Sequence, residues 1–156
     1  MTVTDDEART LRLTRYIAAS PEKVYRAWTD ADVLKRWFAP KPYETTHAEL
    51  DVRPGGSNLI VMRGPEGPDI PNRGVYLDVQ PNRRLVVTDA FTGAWRPSAR
   101  AFMLLDLTFE PEGEGTRYTA IVSHWSAEDR AAHEAMGFDA GWGMATDQLE
   151  EVVATL

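Results

Sequence analysis

FDAGWGMATDQLEEVVATL, residues 138–156, is the stretch on which the fold turns. Within it Phe138, Trp142, Ala145, Leu149, Val152 and Leu156 recur at spacings of four and three residues in alternation. That spacing places all six on one stripe of a terminal helix. Asp139, Thr146, Asp147, Glu150 and Glu151 fall elsewhere around the helix. A helix of nearly twenty residues is about 28 Å long, enough to cross a whole small sheet. Gly141 and Gly143 weaken such a helix, which implies close packing or a local bend at those positions.

Upstream the pattern is extended rather than helical. Segments 43–53, 58–63, 74–79, 85–92, 101–109 and 116–125 read as strands. Turn signals separate them: Pro54-Gly55-Gly56, the Gly/Pro-rich run 64–71, Pro81-Asn82, a loop at 93–98, and the Gly/Glu run 111–115. Connections this short predict antiparallel pairing. Thr10–Ala19 is a further strand with Leu11, Leu13 and Ile17 on one face, interrupted by Arg15, which suits an edge. Ser20-Pro21-Glu22 is a helix start, with Val24 and Trp28 giving that helix one buried side. Thr29-Asp30 opens a second helix over 31–38, stopped by Pro40 and Pro42. Ser126 opens another short helix that Gly137 ends.

The chain has 156 residues, 43% of them hydrophobic, which suits one domain, 1–156, with residues 1–9 as a flexible N-terminus. It carries a net charge of −7 and shows no Lys/Arg cluster, which argues against nucleic acid as a partner. No apolar run is long enough to span a bilayer, so no membrane insertion is expected. The chain has no cysteine and opens on an acidic stretch rather than a secretory signal, both of which favour a cytoplasmic protein. Nothing here sets the oligomeric state, and a homodimer stays open.

One strand, two short helices, about six antiparallel strands and a long terminal helix form a specific order. RYIAASPEKV (15–24) with Ala27-Trp28, LKRWF (34–38), DVRPGG (51–56), GVYLDV (74–79), RLVVT (84–88), Thr116 to Thr119, His124 and Gly141-Trp142 occur in sequence. Taken together they resemble the START-like superfamily (Bet v 1-like, SRPBCC), in the branch named for homology to the activator of the heat-shock-protein-90 ATPase. The resemblance implies an α+β helix-grip fold, a curved antiparallel sheet of six to seven strands wrapped around the terminal helix. It also implies binding of small apolar molecules. Contact with a chaperone does not follow residue by residue, because the matching motifs read as structural.

Candidate chemistry is sparse. His133-Glu134 begins like a zinc-protease helix but lacks the second histidine, and no three ligands sit at metal spacing, so no metal is expected. There is no cysteine and no Gly-x-Ser-x-Gly elbow. Ser123 and His124 point to opposite faces of a strand and make no dyad. The Gly141-Trp142-Gly143 run lacks the third glycine of a dinucleotide fingerprint, so no cofactor is expected. Asp51 and Arg53 share a strand face and read as an ion pair fixing the turn at 54–56. Asp89 interrupts an apolar face made by Leu85, Val87 and Phe91, and His124 matches a position of the family. These two are the weak candidates for a polar anchor or general base, with an outward strand end preferred for Asp89 and a structural role for His124.

Aromatic residues carry more weight. Trp95 lies in a Gly/Pro-rich loop where burial is not automatic, and with Trp37, Trp142 and Met103 it could gate an opening between helix and sheet. At least two of those four are expected to line a pocket, joined by Tyr76 and Phe91. The sequence therefore reads as a noncatalytic carrier or binder of a small hydrophobic or aromatic molecule. A cyclase- or hydrolase-type enzyme using Asp89 or His124, and a co-chaperone-like interaction module, are the alternatives.

Overall fold

A computed structural model describes residues 5–156. The chain opens with α1 (Asp5–Ala8), β1 (Thr10–Ile17), α2 (Pro21–Thr29) and α3 (Ala31–Leu34). Six strands follow: β2 (Glu44–Leu50), β3 (Ser57–Arg63), β4 (Asp69–Gln80), β5 (Arg84–Thr88), β6 (Met103–Glu112) and β7 (Gly115–His124). Two helices, α4 (Ala127–Ala135) and α5 (Phe138–Val153), end it. All seven strands form one antiparallel sheet in the order β1-β7-β6-β5-β4-β3-β2. This is the helix-grip α+β architecture that the resemblance implied.

Local chemistry places the helix starts where the sequence signals them. The Ser20 hydroxyl accepts the Lys23 N–H with Pro21 as first helical residue, and Asp30 Oδ1 accepts the N–H groups of Asp32 and Val33. Ser126 does the same for Asp129, and Gly137 takes the left-handed conformation (φ 94°) between α4 and α5. α3 is shorter than the 31–38 expected, because after Leu34 the chain continues as turns. Ahead of β1, residues 5–8 of the tail expected to be flexible form a helical turn, and the Arg9 carbonyl accepts the His124 N–H at 2.9 Å. The expectation for residues 1–4 falls outside the described residues.

Strand ends differ from the sequence reading for identifiable reasons. β4 begins at Asp69, inside the stretch read as turn, because β3 and β4 pair without a break from Ser57↔Val75 to Arg63↔Asp69. β2 stops at Leu50 because the next residues tighten into a turn, and Arg53 Nε reaches Asp51 at 2.9 Å, the ion pair expected there. Gly56 is required in that turn: a Cβ would stand 1.9 Å from the Asp51 carbonyl oxygen. β5 stops at Thr88 rather than 92, because the Thr88 hydroxyl and Asp89 Oδ1 there take up the Met103 carbonyl and the Phe102 and Met103 N–H groups that a longer ladder would pair. The chain then turns through Gly93, Ala94 and Trp95, all at positive φ. Phe91 keeps one isolated bridge, to Pro97.

Register sets the inward face. Phe109 pairs with Tyr118, Leu107 with Ala120 and Leu85, and Leu105 with Val122 and Val87. Leu11 and Leu13 of β1 oppose Val122 and Ala120, so Arg15 also faces inward, opposite Tyr118, on the edge strand. Its guanidinium is neutralised by Asp147 and Glu150 of α5. At the other edge, alternation and the register shift after Thr45 turn Ala48 and Leu50 toward the core and leave His47 and Glu49 exposed.

α5 runs for 16 residues, shorter than expected. All six residues of the 138–156 stripe pack on the core. Thr146, Gln148 and Val153, off that stripe, are buried too. The Thr146 hydroxyl donates to the Trp142 carbonyl at 2.7 Å. Gln148 donates to the carbonyls of Trp37 and Ala39, both at 2.8 Å, and accepts the Lys41 N–H, pinning the chain after α3 to the helix. The reading of Gly141 and Gly143 as close-packed is corrected, because a Cβ at Gly141 meets nothing within 4 Å and one at Gly143 meets only Arg15, at 3.9 Å.

Candidate functional site

Between the strands β3 to β6 and the helical segment α2–α3 the inward face is not filled. A cavity of about 310 Å³ remains there, within the range of small-molecule sites. Its roof is Trp28, Leu34 and Phe38, and its floor includes Ile60, Tyr76, Leu85, Val87, Met103 and Leu105. Residues of α5 do not line it. The C-terminal helix instead packs against α2, α4 and β1. The roof is braced by edge-on aromatic contacts: Trp28 meets Trp37 at 4.9 Å and Phe38 at 5.9 Å between centroids. Trp28 Nε1 donates to the Tyr118 hydroxyl at 3.2 Å, which orients the indole over the opening.

Polar groups at the lining are few. Burial pushes the Tyr76 phenol up to about 12, opposed by a hydrogen bond with the Asn58 side chain, so the hydroxyl stays neutral across the physiological range. The Asn72 amide donates to the Ile60 and Ile70 carbonyls. Asp89 continues the inward face of Leu85 and Val87, and its Oδ1 accepts the N–H groups of Phe102 at 2.8 Å and Met103 at 3.1 Å. The expectation that Asp89 marks an outward strand end is thereby corrected.

His124 sits elsewhere, at the end of β7, and is 3% exposed. Its Nδ1 lies 2.8 Å from the Arg9 carbonyl and its Nε2 lies 2.9 Å from His133 Nδ1. A carbonyl only accepts, so His124 Nδ1 carries a proton; in the neutral ring Nε2 then accepts from His133. Phe102 packs against both rings and Phe138 against His133. Desolvation first, and the neighbouring His124 second, hold the His133 imidazole below its ordinary value. The pair ties α4 and α5 to β7 and to the N-terminal segment.

The fold and cavity can now be set beside known proteins. Residues 18–154 match the family described as activator of Hsp90 ATPase homolog 1-like protein. The chain belongs to this family. A crystal structure of a Nitrosomonas europaea protein superposes with a TM-score of 0.93 at 39% identity, covering 96% of this chain and 97% of that one. A Chromobacterium violaceum protein is 28% identical with a TM-score of 0.78, covering 93% and 96%. One from Rhodobacter sphaeroides, 24% identical, shares the fold with a TM-score of 0.83 over 99% and 98%. No curated protein matches the chain.

In this family member the residues singled out from sequence divide sharply. Tyr76, Met103 and Asp89 line the cavity; Trp37, Phe91, Trp95, Trp142 and His124 do not. Trp37 is 3% exposed and spends its Nε1 on the Ala27 carbonyl, so it buttresses the roof from behind. Trp142 stacks on Phe138, partly buried against the core and outside the lining. Trp95 is 55% exposed and edge-on to Phe91, outside the lining. Of the four proposed gatekeepers only Met103 reaches the opening. Sequence reading missed Trp28, Phe38, Ile60, Val87 and Leu105 as lining residues. Val87 and Leu105 alternate in step with Leu85 and Leu107, so periodicity named their face. What it does not encode is which inward residues face a void and which face another side chain. Among the described residues no three His, Asp or Glu side chains are grouped as metal ligands. No helix of the described residues is long and apolar enough to cross a membrane.

Proposed function

We propose that this protein binds a small, largely apolar molecule in the cavity under Trp28 and Phe38, and acts as a carrier or sensor rather than a catalyst. The observation that carries this reading is the 310 Å³ apolar opening beside a half of the core whose side chains are almost wholly buried. Dispersion contacts and displaced water would supply the affinity, as in other apolar-walled sites. The enzymatic alternative is weakened by His124, which pairs with the lining residue Met103 but is not itself at the lining, and whose ring nitrogens are both occupied. Asp89 has one carboxylate oxygen already engaged by two backbone donors, which suits an anchor better than a mobile proton acceptor.

The test is titration with a compact aromatic such as 2-methylnaphthalene, followed by fluorescence and calorimetry. Saturable binding with a signal that weakens in Trp28→Phe is expected, the remainder coming from the adjacent Trp37, with heat of binding retained in that variant. Filling the space with Val87→Phe should abolish the heat while the protein stays folded. Unchanged binding in Val87→Phe would place the ligand elsewhere and refute the reading.

A further inference from the structure

The cavity's polar lining is asymmetric in charge. Tyr76 and Asn58 are neutral and face each other, and the Asn72 amide is committed to carbonyls. The Thr88 hydroxyl donates to the Met103 carbonyl and accepts the Ala90 N–H. Arg73 is at the lining, but it sits one residue off the inward positions Asn72 and Gly74, so strand alternation directs its side chain to the opposite face. Asp89 is therefore the one acidic side chain of this lining, and Arg73, its one basic residue, is exposed.

Its two oxygens are not equivalent. Oδ1 is clamped by the Phe102 and Met103 N–H groups, which fix the plane of the carboxylate against the start of β6. Oδ2 takes no hydrogen bond, and no Lys, Arg or His pairs with Asp89 among the described residues. A half-buried carboxylate beside apolar walls gains most from a cationic donor. Trp28, Phe38 and Tyr76 line the same space, and any of these rings turned face-on to a bound cation adds a preference of the same sign. The net charge of −7 adds long-range attraction for cations and repulsion of anions.

We infer that the ligand is a hydrophobic amine, an apolar or aromatic body bearing one protonated nitrogen that Asp89 Oδ2 receives. This rests on the cavity-binding reading above and names its ligand class. The ammonium donates to Oδ2 while the body fills the space between Trp28 and Val87.

The experiment compares three probes of one shape by calorimetry at pH 7: 2-naphthylmethylamine, 2-methylnaphthalene and 2-naphthoate. The amine should bind about tenfold more tightly than the neutral hydrocarbon, and the carboxylate more weakly than it. Asp89→Asn keeps an oxygen to accept the two N–H groups, so its melting temperature should stay close to that of the parent. In that variant the amine should fall to the level of the hydrocarbon, whose own affinity should be unchanged. Naphthoate binding as tightly as the amine, or an amine advantage that survives Asp89→Asn, would overturn this inference and leave cavity binding standing. Failure of all three probes to bind the parent would overturn both.

Discussion

The two halves of the inner face differ in what covers them. On the β1–β7 side, Ile17, Ala120, Val122, Leu149 and Val153 are at most 2% exposed and interlock with α2 and α5. On the β3–β5 side the same alternating pattern of inward residues meets a short roof and leaves 310 Å³ open. Both halves have ladder-paired strands and apolar inward residues, so the sheet does not make the difference. Helix placement does: the 16-residue α5 lies over one half, whereas the four-residue α3 and the turns after it span the other. The C-terminal helix grips, and the α2–α3 segment roofs.

If the packed half is packed and the open half open, truncations should separate them. Phe109→Ala, beneath Tyr25 and Tyr118, should cost about 3–5 kcal/mol in chemical denaturation. Met103→Ala, whose side chain already borders space, should cost well under half as much. Equal losses would erase the distinction. Enlargement should give the complementary result. Ala120→Leu, at a position with no exposure, should destabilise by about 1–3 kcal/mol or more, while Val87→Leu should be close to neutral.

Most of the architecture is legible in the sequence, because strand alternation and the 138–156 stripe are one-dimensional records of burial. Arg15 shows how far such a record goes: a charge on an apolar face pointed to an edge strand, and β1 is an edge. What failed was the reading of Trp95, Trp142 and Trp37 as gate or lining. Their side chains are large enough to serve as wall, buttress or surface alike, and only tertiary distance decides among those roles. His133 was legible only as a failed metal motif. Its partner His124 lies on another element, and nine residues of spacing did not announce contact across a turn. Gln148, a polar residue inside α5, became informative only once the free carbonyls of Trp37 and Ala39 were seen beside it.

The histidine pair sharpens the comparison further, since it stitches the packed half. His133 is held below 6.5 in the folded protein, so the unfolded chain binds the extra proton first. Stability contributed here is present above pH 6.5 and is lost as the pH falls through that value toward the lower folded-state one. Denaturation midpoints should drop between pH 7 and 5.5, and His133→Gln should flatten that part of the profile. The smallest effect is expected on α5 itself. With no neighbour to crowd a methyl group at Gly141, and only the tip of Arg15 at Gly143, each Gly→Ala change should stabilise by roughly 0.5–1 kcal/mol in thermal unfolding.

The central claim is tested most directly by methyl-resolved NMR during addition of a small aromatic amine. Shifts confined to Ile60, Leu85, Val87, Met103 and Leu105, with Val122, Leu149 and Val153 unmoved, are the predicted result. Shifts centred on the packed half, or no saturable shifts at the five cavity residues, would contradict a binding site under the α2–α3 roof.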